Sequence, residues 1–558
     1  MRKNNDKHGT TRTTKPNTRG NNSRGGKQRN RNSFYTDREG ADEYDPKRSR
    51  NDEAWYGADP AILRDAASIP FSASIGTSLD YGSQYLKSGN PYFTKGLSHA
   101  IPGLINFKIT PSFGYAHSGN DPINVAANAI YAFLRQANSG AKNYDAPDMM
   151  LYCLAMTQVY SYISYLQRIY GYVNLYSQRN RYMPKSLVYA NLASYEDIMN
   201  DLAGFRYGIN LLINKASSLA VPGNMTIFQR HAFLYRDVYS EGDSIKDQLY
   251  QFVPDGFYKF DFNSDKSGML KYIGLADRAD VTGEIASKVL SVKALLSLGN
   301  ELLDPLITSE DFNIMSGDIL KAYGDNIIKL TSLPTEFPVV PVHDYTVLQQ
   351  MKNATIIGQT LTSNAVVQDP TKSFLMYKPQ VPKAAATSTF KDRIATRAQY
   401  ANPIISVGSA DPTPGEVMEV TRLKATRIND PDNTQTDYIN CGTEIVRFVS
   451  MQYIDVDTGK TLGEVLQSNT FWTSYNADVQ EDNSKQLFRM MMLNNYKFGP
   501  MAYVFFTTAE EGDLTKNDYF MGISWDFDNY SVITPAILQK LHEAAIMNML
   551  HVPHISKV

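Results

Sequence analysis

Three prolines fall within the short stretch SLPTEFPVVPV (332–342): Pro334, Pro338 and Pro341. Each removes a backbone donor and fixes its own φ, so no helix can run through the stretch, and it marks a boundary. On its N-terminal side, from Trp55 to about Leu330, the apolar spacing is helical. Asp121 and Pro122 open a helix carrying Val125, Ile130, Phe133 and Leu134, and Asn138-Ser139-Gly140 closes it. A long helix is predicted from about Pro147 to Tyr176. Ser194 is the N-cap expected for a third, with Ile198, Leu202, Phe205, Ile209 and Leu212 on one stripe. Further helices are expected at 225–239, 282–304 and 308–325.

Beyond the prolines the pattern changes. The β-branched and aromatic runs ATIIGQTL, PIISVG, EIVRFVSMQYIDV, AYVFFTTA and YFMGISW alternate with turn-rich segments such as SADPTPGE and NDPDNTQTD. A last helix starts at Thr534-Pro535, with Ile537, Leu541 and Ala545 on one face. The expected fold class is α+β. A disordered basic N-terminal tail (1–50) precedes a mostly α-helical region (51–335), a β-rich region (336–530), and a C-terminal helix and tail (531–558).

The tail cannot fold alone. NNSRGGKQRNRNSF (21–34) has no aliphatic or aromatic side chain before Phe34, so nothing in it can be buried to offset the entropy of ordering. Arg2, Lys3, Lys7, Arg12, Lys15, Arg19, Arg24, Lys27, Arg29 and Arg31 face a single acid, Asp6, within residues 1–34, a net +9. Subtracting that +9 from the chain total of −2 leaves −11 on the remainder. Such segregation points to a polyanion met by the tail, with a body that does not cling to nucleic acid. A linker selected only for solubility would mix both signs. With no aromatic ring for base stacking, these ten cations are candidate contacts to phosphates, indifferent to sequence. Nine neutralised phosphates imply a log–log salt slope of about −8 on a duplex. As a random coil, 45 residues reach roughly 35–40 Å.

The rest of the chain, in a sequence 42% hydrophobic and 20% charged, is long enough for a large core, divided among about two or three domains. Cys153 and Cys441 are its only cysteines, which gives neither a disulfide framework nor a zinc cluster and fits a reducing compartment. No apolar run reaches membrane-spanning length, and the N-terminus has no apolar stretch of a secretory signal, so a soluble intracellular product is expected.

Candidate chemistry is thin. DVDTGKT (455–461) has Ile454 where a phosphate-binding loop needs glycine, and Gly459 where a calcium loop needs a ligand; a hairpin turn between YIDV and TLGE accounts for it better. His542-Glu543 lacks the second zinc histidine, because position 546 is Ile546, and His551 and His554 flank a proline in the terminal tail. Nucleophile-elbow, dinucleotide and C-x-x-C motifs are absent, and both cysteines sit in apolar stretches. Neither a catalytic residue, a metal site nor a cofactor is expected. In SQRNRYMPK (177–185), Arg179, Arg181 and Lys185 read as cations at the C-terminus of the long helix.

Tyrosines crowd that long helix. Tyr152, Tyr160, Tyr162, Tyr165, Tyr170, Tyr172 and Tyr176 fall on several sides of the cylinder at 100° per residue. Two readings stay open: a central helix in a large core, or burial against a neighbouring subunit. Under the second, Tyr152, Tyr162, Tyr165 and Tyr172 are the candidate interface residues.

The runs NDPINVAANAIYAFLRQANSGAKNYDAPDMMLYCLAMTQVYSYISYL (120–166), YSQRNRYMPKSLV (176–188) and FRYGINL…VPGNMTIFQRHAFL (205–234) resemble the capsid proteins of picobirnaviruses, as does NDEAWYGADPAILRDAASIPF (51–71). The resemblance is specific over about 50–240 and weak from 340 to 520. It implies a coat protein that forms homodimers, which close an icosahedral shell around double-stranded RNA, with no membrane partner. It also implies a helical shell-forming region, a projecting region, and a tail whose partner is the viral RNA. The protein would reside in the virion and assemble in the host cytoplasm. Family members interlock through exchanged segments, and some cut off their own N-terminal peptide; no cleavage motif here supports carrying that over. The rival readings are a non-shell nucleoprotein, which would need a basic groove on the body, and an enzyme with an unrecognised hydrolase site.

Overall fold

The protein is seen here as a computed structural model. It describes residues 55, 59–71, 75–76, 78–80, 98–100, 103–140, 143–175, 183–244, 246–283, 288–358, 361–369, 371–382, 402–429, 434–454, 460–467, 470–475, 489–507, 519–526 and 528–551. The basic tail, Arg2 to Arg31, lies outside them, as do Arg179, Arg181, His554 and the turn 455–459.

Helices form largely where caps and periodicity place them. A short helix α1 spans Pro60–Ala67, opened by Asp59, whose carboxylate accepts from Ala61 N at 2.9 Å. Helix α2 spans Pro122–Ala137 and the long α3 spans Ala146–Val173, where the Asp148 carboxylate reaches back to Asp145 N at 2.9 Å. Helix α4 is Met183–Ala190. The single helix expected after Ser194 is two, α5 (Tyr195–Asn200) and α6 (Leu202–Ala216). Asp201 leaves helical geometry at φ −137°, ψ 52° and caps the second by accepting from Gly204 N at 3.0 Å. A Cβ at Gly204 would lie 2.2 Å from that carboxylate, so only glycine allows the break. Helices α7 (Thr226–Leu234), α8 (Val292–Ile307) and α9 (Glu310–Tyr323) complete the set before the prolines, and α10 (Pro535–Met549) closes the chain with Thr534 as its cap.

Strands also occur where helical spacing was read. Among them are β1 (Leu104–Pro111), β2 (Tyr239–Ser240), β3 (Leu249–Pro254), β4 (Gly256–Phe262) and β5 (Gly268–Gly274). Every residue of β3 is buried, so its apolar run lacks the alternation that marks a half-buried strand. After the prolines come β6 (Val366–Asp369), β7 (Phe374–Met376), β8 (Glu444–Ile454) and β9 (Thr461–Gln467). The runs PIISVG, AYVFFTTA and YFMGISW also yield strands, at Ile404–Val407, Ala502–Thr507 and Tyr519–Ser524. In ATIIGQTL the described residues make only an isolated bridge, Ile356 to Val446.

Sheet pairing ignores the proline boundary. The five-stranded sheet has the order β9-β8-β1-β3-β2, with β8 antiparallel to β1 (Val449 opposite Phe107, Met451 opposite Ile105) and β1 parallel to β3. A four-stranded antiparallel sheet, β7-β6-β5-β4, likewise joins strands from before and after residue 335. One apolar cluster takes in Leu104, Leu154, Leu302, Val446 and Leu550, and Tyr56–Val558 forms one compact unit. Residues on both sides of the 335/336 division therefore share sheets and core. No helix among the described residues is long and apolar enough to cross a membrane.

Candidate functional site

Helix α3 packs against α2, α4, α6, α7, α8 and α9 and against β4, β5 and β7. From Ala146 to Tyr172 every residue is buried except Asp148, Ser164 and Gln167, which are half-buried. This decides between the two readings of its tyrosines. Tyr152, Tyr162, Tyr165 and Tyr172 expose at most 1% of their surface in the single chain, so they have nothing left to present to another subunit. They are core residues, correcting the expectation of an interface. Each hydroxyl finds an internal acceptor: Ala220 O at 2.8 Å, Leu295 O at 2.6 Å, Asn191 O at 2.5 Å and Gln251 Oε1 at 2.9 Å, respectively. Burial raises all four phenols, that of Tyr172 to about 12.

Sequence reading missed the charge inside this core. Arg168 is 1% exposed, and its Nη2 donates to Asn191 Oδ1 at 2.6 Å and to Phe252 O at 2.8 Å. Its guanidinium lies 5.7 Å from the Tyr172 ring centre and 5.9 Å from that of Tyr235. Asn191 and Gln251 link at 3.0 Å, and Gln251 reaches Asn106 at 2.7 Å, so one polar chain ties α3 to β3 and β1. A lone arginine in a tyrosine-rich helix looks the same in sequence whether it is surface or core.

A second buried charge pair bridges the proline boundary. Glu444, at the start of β8, is fully buried and pairs with Arg230 of α7, while Thr443 Oγ1 donates to it at 2.6 Å. Burial alone would raise this carboxyl, but Arg230 and Thr443 outweigh it and hold it below the ordinary value. Asp255 similarly gathers Lys108, at 3.2 Å, and Arg447. These groups join elements from both sides of the proline boundary.

The cavity that includes the His542-Glu543 pair measures about 230 Å³, and Tyr115, His117, Asp121, Ile428 and Ile439 also line it. Its closed side is His542, 1% exposed, with neither ring nitrogen in a hydrogen bond of ordinary geometry. Burial lowers its imidazole to about 4, so the ring is neutral at pH 7. Gly114, at φ +88°, lets the ring approach, since a Cβ there would meet Cε1 at 2.5 Å. Tyr115 donates to Asp437 at 2.8 Å, and His117 pairs with Asp121 at 3.1 Å. The lining contains no serine, cysteine or lysine. No group of three or more His, Cys, Asp or Glu side chains among the described residues could hold a metal ion.

The remaining sequence candidates are structural. Burial raises Cys153 to about 12 and also raises Cys441, which disfavours the reactive thiolate of both. Helix α3 ends at Val173, before the SQRNRYMPK run, and Lys185 sits in α4, paired with Glu196 at 3.0 Å rather than capping α3. Strands β8 and β9 pair antiparallel with Ile454 opposite Thr461.

The family profile described as the picobirnavirus capsid protein matches residues 55–497, well over half of the chain. The chain belongs to this family. Over 530 residues this capsid protein is 27% identical to the capsid protein precursor of human picobirnavirus (strain Human/Thailand/Hy005102/-), spanning 91% of this chain and 92% of that one. Its fold matches the X-ray structure of the picobirnavirus capsid with a TM-score of 0.74 and 22% identity, over 90% of this chain and 98% of that one. Like others of its family, the capsid protein is a structural component of the virion.

Proposed function

We propose that this capsid protein dimerises, that the dimers close an icosahedral shell around double-stranded RNA in the host cytoplasm, and that its basic tail contacts the RNA. The family match carries the coat role, and the charge segregation, +9 on residues 1–34 against −11 on the rest, supports the division of labour. Residues 51–335 supply the wall, together with β8 and β9, which complete its five-stranded sheet. The remainder of 336–530 supplies the projections. Arg2, Lys3, Lys7, Arg12, Lys15, Arg19, Arg24, Lys27, Arg29 and Arg31 offset phosphate repulsion without reading sequence. Apolar burial across symmetric contacts drives closure.

Deleting residues 1–45 tests the tail. Because the apolar core lies wholly beyond the deletion, particles are expected to form with a lower 260/280 nm absorbance ratio after gradient purification. An unchanged ratio removes the tail from RNA packaging.

A further inference from the structure

The cavity beside α10 brings together segments far apart in sequence. The start of α2 supplies Asp121 and Pro122, the strands Ala425–Asn429 and Gln435–Asn440 supply Ile428 and Ile439, and α10 supplies His542 and Glu543. His542 stands in the wall, 1% exposed, and neither ring nitrogen makes a hydrogen bond of ordinary geometry. The Asn440 backbone can accept from one of them at best, which leaves the other as a lone-pair acceptor facing no donor. A buried polar atom left in this way is costly, and a donor placed in the cavity would remove the cost. The same wall holds the carboxylates of Asp121 and Glu543, and none of the described residues lining it is a lysine or an arginine. Asp121 accepts from the backbone of His117 at 2.6 Å and of Ser118 at 2.7 Å, and Glu543 accepts from Gln539 Nε2 at 3.0 Å. A carboxylate offers about four acceptor sites, so both keep capacity. The Tyr115 and His117 rings, 5.3 Å apart, add aromatic area that attracts a cation.

We propose that this cavity binds an aliphatic diamine, its two ammonium groups paired with Asp121 and Glu543, His542 accepting from one of them, and its methylene chain lying on Ile428, Ile439 and Pro122. The lining selects for this chemistry. An anion would meet two carboxylates and no lysine or arginine to offset them. A purely apolar molecule would desolvate both carboxylates without giving either a partner. No group of three metal-ligating side chains exists here among the described residues. Size agrees as well. A cavity of about 150 Å³ holds benzene, a molecule of six heavy atoms. This one, at about 230 Å³, takes the six heavy atoms of a diamine with four methylenes and leaves room for water. Because Asp121 caps α2 and Glu543 belongs to α10, an occupied site ties the last helix of the chain to α2.

The test titrates putrescine into the full-length chain by isothermal calorimetry, after nuclease treatment so that no phosphate competes for the diamine. The expected result is a single saturable site per chain, with an unfolding midpoint that rises when putrescine is present. Glu543→Gln keeps the size of the side chain and is expected to weaken binding about tenfold. Glu336→Gln removes an exposed charge elsewhere and is expected to leave binding unchanged. Butylamine, with one ammonium group on the same carbon chain, is expected to bind about tenfold more weakly than putrescine. Absence of saturable heat up to about 10 mM putrescine overturns the proposal. So does an undiminished affinity in Glu543→Gln. Equal losses in the two variants overturn it too, because the diamine would then be condensing on the acidic body at large. Equal affinities for butylamine and putrescine overturn the pairing of two ammonium groups with two carboxylates.

Discussion

Helices α3 and α1 both carry more apolar surface than a solvated helix needs, and the fold treats them in opposite ways. Around α3 the chain supplies six helices and three strands, and even an arginine is enclosed. Around α1 it supplies no burying partner, and isoleucine and phenylalanine side chains stand in solvent. Of the two, only α3 was read as a helix from the sequence. Periodicity reports that a face must be covered; it does not report which molecule covers it. For α3 the answer is the same chain, whereas no residue of α1 is buried by it.

The sharpest way to break the contrast is to charge the interior of α3. Changing Tyr162 and Tyr165 together to Glu should abolish the folded state, at a cost above about 5 kcal/mol, because two carboxylates would enter a dry core without partners. Circular dichroism and chemical denaturation would read it. A folded variant that merely fails to assemble would return these tyrosines to a subunit interface. Next in size is Arg168→Ala, which strands Asn191 Oδ1 and the Phe252 carbonyl; a loss of about 3 kcal/mol is expected from urea titration.

Acid probes the core on both sides of the prolines. Burial holds His231 and His542 near 4, below the value of about 6.5 they regain on unfolding. Each is neutral in the folded chain, so its contribution is fully present above pH 6.5 and declines as pH falls toward 4. Between pH 7 and pH 4.5, His542→Asn should lose about 2–3 kcal/mol less stability than wild type. Equal slopes would show that water reaches the cavity. The smallest effect belongs to α1: Ile62→Ser alone should change the unfolding free energy of the monomer by less than about 0.5 kcal/mol. A larger loss would erase the contrast with α3.

Much of the helical half was legible because local chemistry announced it. Asp121-Pro122 and Thr534-Pro535 open the helices they were read to open, while Ser194 opens only the first of the two helices that stand where one was expected. The strands β1 and β3 were not, since near-continuous burial hides the alternation by which strands are recognised, and the part-buried β4 and β5 were missed as well. Nor could the proline run reveal that β8 returns to pair with β1, a contact between residues more than 300 positions apart. The interior charges Arg168 and Glu444 were hidden for a related reason: their partners come from distant elements, so spacing carries no trace of them. The tyrosines of α3 misled because tyrosine serves cores and interfaces equally well.

Negative-stain electron microscopy of the purified full-length chain tests the coat reading most directly. Closed spheres of uniform diameter, formed without any added protein, are the expected image. Dispersed single molecules at high concentration, or RNA-dependent strings in place of spheres, would contradict it.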